Sequence, residues 1–208
     1  MKTPVRAATA AMAALALCAC GHSGASDSST ASAAASASQP STSKDSSAAS
    51  DGMMTLLPTG NLVIQVPGDA ITGTTTTYDD GMQQTYYDSR GSIPLTVAVE
   101  YYAAGAKPAA SILTAEQQAL TAQSIQPKVT PVDVPGGSGA NRLDWQTTAI
   151  PPWLQDRKTS EVPITCAGII VDGPGGESYG VYVFADPKNQ ESLNRMSSVL
   201  TSVAVSAS

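Results

Sequence analysis

The clearest structural signal in the chain is residues 162–185, which read VPITCAGIIVDGPGGESYGVYVFA. Two runs rich in β-branched and aromatic residues, 162–171 and 178–185, flank an Asp-Gly-Pro-Gly-Gly turn sequence, and this pattern predicts a β-hairpin. Both runs are apolar at successive positions, whereas a strand with one solvent-exposed face alternates between apolar and polar residues. Strands that are apolar on both faces lie in the middle of a sheet that is covered on each face. The hairpin therefore predicts a sheet with a layer packed on both sides.

The other strands are predicted from alternation and from turn residues. Residues 94–102 alternate, which predicts an inner face that carries Val97 and a second face that carries Glu100. Pro131 interrupts residues 128–134 and places that strand at a sheet edge. The predicted strands outside the hairpin are 61–67, 72–78, 82–88, 94–102, 128–134, 140–149 and 201–205.

Two helices are predicted from capping residues and apolar periodicity. Thr114 and Gln117 form a capping box, which predicts that the first helix starts at Thr114, and Pro127 ends it. Asp186 is the predicted N-cap of the last helix, with Pro187 in its first turn. The predicted apolar stripes are Ala119, Ala122 and Ile125 in the first helix, and Leu193, Met196 and Leu200 in the second.

Hairpins imply an antiparallel sheet, and two helices on a sheet with two apolar faces imply three layers. The sequence therefore predicts an α+β fold, a three-layer α/β/α sandwich with a central antiparallel sheet. This pattern resembles the Mog1/PsbP-like family, and more narrowly the small actinobacterial lipoproteins with that fold. The resemblance covers most of residues 54–205 and rests on NLVIQVP at 61–67, the amphipathic helix at 189–200 and TSVAV at 201–205. It implies a binding role, since relatives act as adaptors or assembly factors for other proteins, and it supplies no catalytic residues.

The start of the chain predicts where the protein is held. Two basic residues precede an apolar run at residues 7–17, which fits a signal peptide and is shorter than the about 20 residues of a transmembrane helix. The run ends in Leu-Cys-Ala-Cys, which resembles the bacterial lipobox. Because small Ala19 precedes Cys20, we expect residues 1–19 to be removed and Cys20 to be the lipid attachment site. The resemblance implies at least two acyl chains, such as palmitate, which anchor a protein stably. The alternative is ordinary secretion with a free Cys20.

The remaining chain divides into two parts. For residues 20–52 we predict a lipidated cysteine followed by a disordered Ser/Ala/Thr-rich tether. The sequence does not decide whether the tether is O-glycosylated. Residues 53–208 predict a single globular domain, large enough to fold without a disulfide or a metal. We therefore expect a lipid-anchored protein on the extracytoplasmic face of the cell membrane, with its oligomeric state left open.

Composition excludes several functions. The net charge of −6 disfavours nucleic acid as a partner. The sole histidine is His22, so the domain has no histidine base, zinc ligand or triad member. Asp and Glu residues are present, but no converging pair of carboxylates stands out. The sequence therefore predicts no enzyme, no cofactor and no metal.

Several other patterns are interpreted as structural. Residues 136–139 are glycine-rich but lack the Lys-Ser/Thr ending of a phosphate loop, so we interpret them as a turn. Asp79, Asp80 and Asp88 lack EF-hand spacing and predict a solvated turn. Cys166 has apolar neighbours, which predicts a buried small hydrophobe. The sequence does not decide whether four strand tyrosines form an exposed aromatic patch: Tyr86, Tyr87, Tyr101 and Tyr102.

The candidate partner-binding residues are Pro152, Trp153 and Leu154, in a proline-stiffened apolar segment between two strands. Tryptophan is favoured at interaction hot spots. The alternative is that Trp153 folds back over a sheet edge. We predict a non-catalytic binding or adaptor module for a cell-envelope protein partner. A small apolar-ligand or glycan binding protein, or a hydrolase that uses carboxylates alone, are the alternatives.

Overall fold

The computed structural model describes residues 53–56, 59–78, 80–88, 93–154 and 160–206. Within these ranges the chain forms ten strands and two helices. In chain order they are β1 (Met53–Leu56), β2 (Leu62–Pro67), β3 (Ala70–Thr77), β4 (Gly81–Asp88), β5 (Leu95–Tyr102), α1 (Ala109–Ala122), β6 (Lys128–Pro131), β7 (Ser138–Ala149), β8 (Val162–Asp172), β9 (Ser178–Ala185), α2 (Gln190–Thr201) and β10 (Ala204–Val205).

Seven strands form one antiparallel sheet in the order β3-β4-β5-β9-β8-β7-β6. The hairpin of β8 and β9 lies at its centre, and all eight residues of β9 are buried. The central position predicted for this hairpin is confirmed, because strands with two apolar faces are stable only between two layers. β6, which contains Pro131, lies at one edge as expected.

Each face of the sheet carries its own layer and its own apolar core. On one face, Ile112 and Leu120 of α1 pack with side chains of β5, β7, β8 and β9. On the other face, Met196 and Leu200 of α2 and the inner side of β2 pack against the valines of β5 and β9. The three-layer α/β/α arrangement is therefore confirmed.

The first and last strands lie outside the main sheet. β2 pairs with β1 on one side and with β10 on the other, in a separate three-stranded sheet. The backbone amide of Val205 also donates to the carbonyl of Pro135 at 2.8 Å, and that of Ser206 donates to the carbonyl of Asn61 at 2.8 Å. The closing strand therefore ties β2 to the turn before β7.

The predicted start of the first helix is wrong. α1 begins at Ala109, five residues before Thr114, and its first amide donates to Oδ1 of Asp172 at 2.7 Å. Thr114 lies inside the helix, where its hydroxyl donates to the carbonyl of Ala110. The error has a physical cause, since an acceptor at the end of β8 replaces a local cap and has no signature near residue 109. The buried face is shifted accordingly and consists of Ala109, Ile112, Glu116 and Leu120.

The predicted cap of the second helix is also wrong. Oδ1 of Asn189 accepts from the amide of Ser192 at 2.9 Å, so Asn189 is the N-cap of α2. Asp186 instead accepts from the amide of Lys188 at 2.8 Å and stabilises a turn that contains Pro187. Neither described helix is long and apolar enough to cross a membrane.

Candidate functional site

Two glutamates converge in the core between α1 and the sheet. Glu100 of β5 is 1% exposed and Glu116 of α1 is 3% exposed. Glu116 lies on the buried stripe of α1, four residues after Ile112 and four before Leu120. Glu100 lies on the second face of β5, which α1 covers. The sequence contained a signal for this pair, the Ile112-Glu116-Leu120 spacing, but the shifted helix start concealed it.

Uncharged polar side chains surround the two carboxyl groups. Gln83 donates from Nε2 to Oε1 of Glu100 at 3.1 Å. The rings of Tyr78 and Tyr102 stack with centroids 6.2 Å apart, and Nζ of Lys107 lies 4.9 Å from the Tyr102 centroid. We call the set of Glu100, Glu116, Gln83, Tyr78, Tyr102 and Tyr182 the acid–tyrosine cluster.

Four oxygen atoms of this cluster have no hydrogen-bond partner among the described residues. They are Oε2 of Glu100 and the hydroxyl oxygens of Tyr78, Tyr102 and Tyr182. Glu100, Tyr102 and Tyr182 are each at most 1% exposed. Buried polar groups are normally paired, so these atoms mark a position where the protein alone leaves hydrogen-bonding capacity unused.

Burial controls the protonation of the pair. It raises the pKa of Glu100 to about 7, although Lys107, the Gln83 amide and the nearby Tyr102 hydroxyl lower it. Burial and then the charge of Glu100 raise the pKa of Glu116 to about 8, against the lowering effect of Lys107. Burial likewise raises the pKa of the Tyr78, Tyr102 and Tyr182 hydroxyls, which the carboxylates raise further. Near neutral pH the pair therefore holds about one proton.

The sequence predicted no converging carboxylates, and the structure corrects this. A general acid or base must come within hydrogen-bond reach of its substrate, whereas both glutamates are almost fully covered. The pair therefore suits an internal proton or ligand better than catalysis on an external substrate. Among the described residues, no three His, Cys, Asp or Glu side chains are grouped so that they could hold a metal ion.

The predicted partner-binding residues lie in the connection from β7 to β8. Pro151 is buried, Pro152 and Trp153 are half-buried, and Leu154 is 39% exposed. The amide of Leu154 donates to the carbonyl of Pro151 at 3.2 Å, which closes a turn. Trp153 packs against the core beneath α1, so the ring is partly folded back and partly accessible.

A groove of about 530 Å³ opens on the opposite face of the molecule, between α2 and β2. Three of its hydroxyls donate to carbonyls of the helix backbone, those of Ser198, Thr201 and Ser202. The Ser202 oxygen also accepts from the amide of Gln65 at 2.8 Å. The lone pairs of Ser198 and Thr201 remain as acceptors. The lining is uncharged and polar: Gln65, Asn194, Ser197, Ser198, Thr201 and Ser202.

The structure also shows where Cys166, the glycine-rich segment and the four strand tyrosines lie. Cys166 is 1% exposed, which confirms a buried small side chain. The glycine-rich segment contains a turn, closed by the amide of Gly137 donating to the carbonyl of Val134 at 3.0 Å, and its last two residues already belong to β7. The four strand tyrosines do not form an exposed aromatic patch, because Tyr86 and Tyr102 are buried and Tyr87 and Tyr101 are half-buried. The predicted lipid attachment site Cys20, the predicted signal segment and tether, and Asp79 lie outside the described residues.

Comparison with known proteins identifies the fold only. No protein-family model matches the chain, and no curated protein matches its sequence. Among solved structures, the chain is similar to the solution structure of cyanobacterial PsbP (CyanoP) from Synechocystis sp. PCC 6803, with a TM-score of 0.51. The two share 9% sequence identity over 76% of this chain and 95% of CyanoP. The chain therefore has a PsbP-like fold.

Proposed function

We propose that the protein is a lipid-anchored extracytoplasmic lipoprotein whose folded domain is a non-catalytic binding module for a protein partner in the cell envelope. The observation that carries this proposal is the exposed apolar side chain of Leu154, in the connection between β7 and β8. Leu154 and Ile71 are the large apolar side chains exposed by more than a third in the described part of the chain, at 39% and 42%.

The length and composition of this connection support a contact role. Residues 150–161 join two adjacent antiparallel strands, for which hairpin loops of about 2–5 residues are usual. Two prolines stiffen the segment before Trp153, so little conformational entropy is lost when it binds. Aromatic residues in rigid, partly exposed positions are typical anchors of protein interfaces.

The membrane anchor is proposed from the lipobox-like sequence that ends at Cys20. Mass spectrometry of the mature N-terminal peptide tests it, and we expect a diacylated or triacylated Cys20. The Cys20→Ser variant should lose the lipid and leave the membrane fraction, whereas Cys18→Ser should retain both. An unmodified peptide that starts at another residue would refute the anchor without bearing on the domain's binding role.

The binding role is tested by site-specific photocrosslinking in intact cells. A photoreactive amino acid at position 154 should capture one envelope protein reproducibly, because that side chain lies at the proposed contact. The same group at position 71, in edge strand β3, is the matched control, since Ile71 is equally exposed. Equal yields of the same product from both positions would argue against a contact at the loop.

A second candidate function is glycan binding, supported by the groove between α2 and β2. Its lining consists of hydroxyls and amides without a charged group, and such a surface suits a ligand that carries many hydroxyl donors. Titration of the protein with uncharged envelope oligosaccharides should shift the NMR amide signals of residues 194–202. Unchanged signals at saturating oligosaccharide would exclude this function.

A further inference from the structure

The acid–tyrosine cluster has unused binding capacity in a place that water reaches poorly. Oε2 of Glu100 and the hydroxyls of Tyr102 and Tyr182 belong to side chains that are at most 1% exposed, and none makes a hydrogen bond of good geometry with another described residue. The Tyr102 hydroxyl nevertheless lies close enough to Glu100 to lower its pKa. An unmade hydrogen bond at a buried group costs free energy. A ligand that contacts these oxygens would remove that cost.

The charges around the cluster indicate the sign of such a ligand. Glu100 and Glu116 supply two carboxyl groups, and the half-buried Lys107 supplies one positive charge close to both. Tyr182 of β9 and Gln83 of β4 carry no charge. Asp80 contributes a further negative charge near Tyr78 and Tyr102. When both glutamates are ionised, Lys107 compensates only one of the two carboxylate charges, and at least one negative charge remains uncompensated.

The ligand atoms indicate the chemical class. The free atoms are all oxygens, from a carboxylate and three phenols, and oxygen sites select hard cations. A divalent ion takes more anionic oxygens than two carboxylates beside an ammonium group provide. The Lys107 ammonium lies over the Tyr102 ring, a contact in which the face of an aromatic ring attracts a cation.

We propose that the acid–tyrosine cluster binds one monovalent cation, an alkali or ammonium ion, at the buried oxygen atoms of its glutamates and tyrosines. On binding, the protonated carboxyl group releases its proton to solvent and both glutamates become carboxylates, so the net charge of the cluster is unchanged. The rim formed by Tyr78 and Lys107, which are both half-buried, is the route of entry.

Two measurements on the full-length chain test the proposal. At about pH 9, KCl, NaCl or NH4Cl should raise the thermal midpoint by about 2–4 °C over choline chloride of equal concentration. Near pH 6 this difference should shrink, because the proton then occupies the pair. In weakly buffered protein near pH 7.5, at least one of these three salts should release up to about one proton per chain, whereas choline chloride should release none.

Two variants assign the effect to the cluster. Glu116→Gln, which keeps the shape but loses a carboxylate, should abolish both the cation preference and the proton release. Glu161→Gln, at an exposed glutamate just before β8, should leave both unchanged. The proposal is overturned if all four salts give the same midpoint and no proton release, since the cluster then holds only a proton or water. A preference that persists in Glu116→Gln would place the cation elsewhere and overturn it as well.

Discussion

At the level of single residues, the unusual feature of this molecule is a pair of glutamates buried between α1 and the sheet. Desolvation opposes the ionisation of both carboxyl groups, and the charge of Glu100 further opposes the ionisation of Glu116. Their ordinary pKa of 4.5 rises to about 7 for Glu100 and about 8 for Glu116. The folded state therefore binds more protons than the unfolded state between these values.

This difference predicts how stability depends on pH. Stabilisation by the protonated pair is fully present below about pH 4.5 and is lost as pH rises through 7 and 8. We expect the free energy of unfolding to fall across this window, with a slope of up to about 1.4 kcal/mol per pH unit for each group. Urea denaturation at a series of pH values, in choline chloride, measures it.

The control for this prediction is Glu116→Gln, which leaves a single buried carboxyl group. Its stability should depend less steeply on pH than that of the parent chain. A free energy of unfolding that rises between pH 5 and pH 8, or an unchanged slope in the variant, would show that the pair is ionised in the folded state, contrary to the pKa values given for it.

At the level of elements, the short β10 depends on one glycine in the turn before β7. Gly136 has φ +75°, and a Cβ there would overlap the carbonyl oxygen of Val205. Gly105 has the same φ but open space around it. Gly136→Ala should therefore be less stable than Gly105→Ala by about 1–3 kcal/mol, as thermal denaturation would measure. Equal losses in the two variants would mean that only the backbone conformation matters.

The position of α1 depends on Asp172 at the end of β8. Its Oδ1 accepts from the amide of Ala109 and from the hydroxyl of Ser178, both at 2.7 Å. Asp172→Ala should lower the free energy of unfolding by about 2 kcal/mol, since it removes a helix cap and leaves a buried hydroxyl unpaired.

Asp144→Ala is the matched control for this prediction, because Asp144 makes an ion pair with Arg142 at the surface and should cost less than about 1 kcal/mol. Chemical denaturation of both variants checks the difference. If the two losses are alike, the contact of Asp172 with α1 does not hold the helix in place.

Sequence patterns predicted the elements whose signals are local. The centre of the sheet followed from the apolar runs around Val171 and Tyr182, and the edge strand from Pro131. The start of α1 could not be predicted, because its cap comes from Asp172, 63 positions away. The glutamate pair was missed for the same reason, since which face of β5 is covered depends on where α1 packs.

At the level of the whole molecule, both faces of the seven-stranded sheet are used for internal packing. Contacts with a partner must therefore be made by loops, sheet edges or outer helix faces, which is where binding residues on compact folds concentrate. The connection from β7 to β8 is such a loop, and it carries Leu154, one of the two exposed large apolar side chains of the described residues. A PsbP-like fold therefore does not determine which partner is bound, because surface residues that vary independently of the fold determine the specificity.

The most direct test is the affinity of the partner captured at position 154 for two variants of the chain. Trp153→Ala should weaken binding by about thirtyfold, about 2 kcal/mol, as expected for loss of an aromatic anchor. Ile71→Ala, which removes comparable exposed apolar surface at the edge strand β3, should change the affinity by less than about twofold. Calorimetric titration gives both values, with circular dichroism to establish that each variant is folded. An unchanged affinity in folded Trp153→Ala would contradict the assignment of this loop as the binding surface.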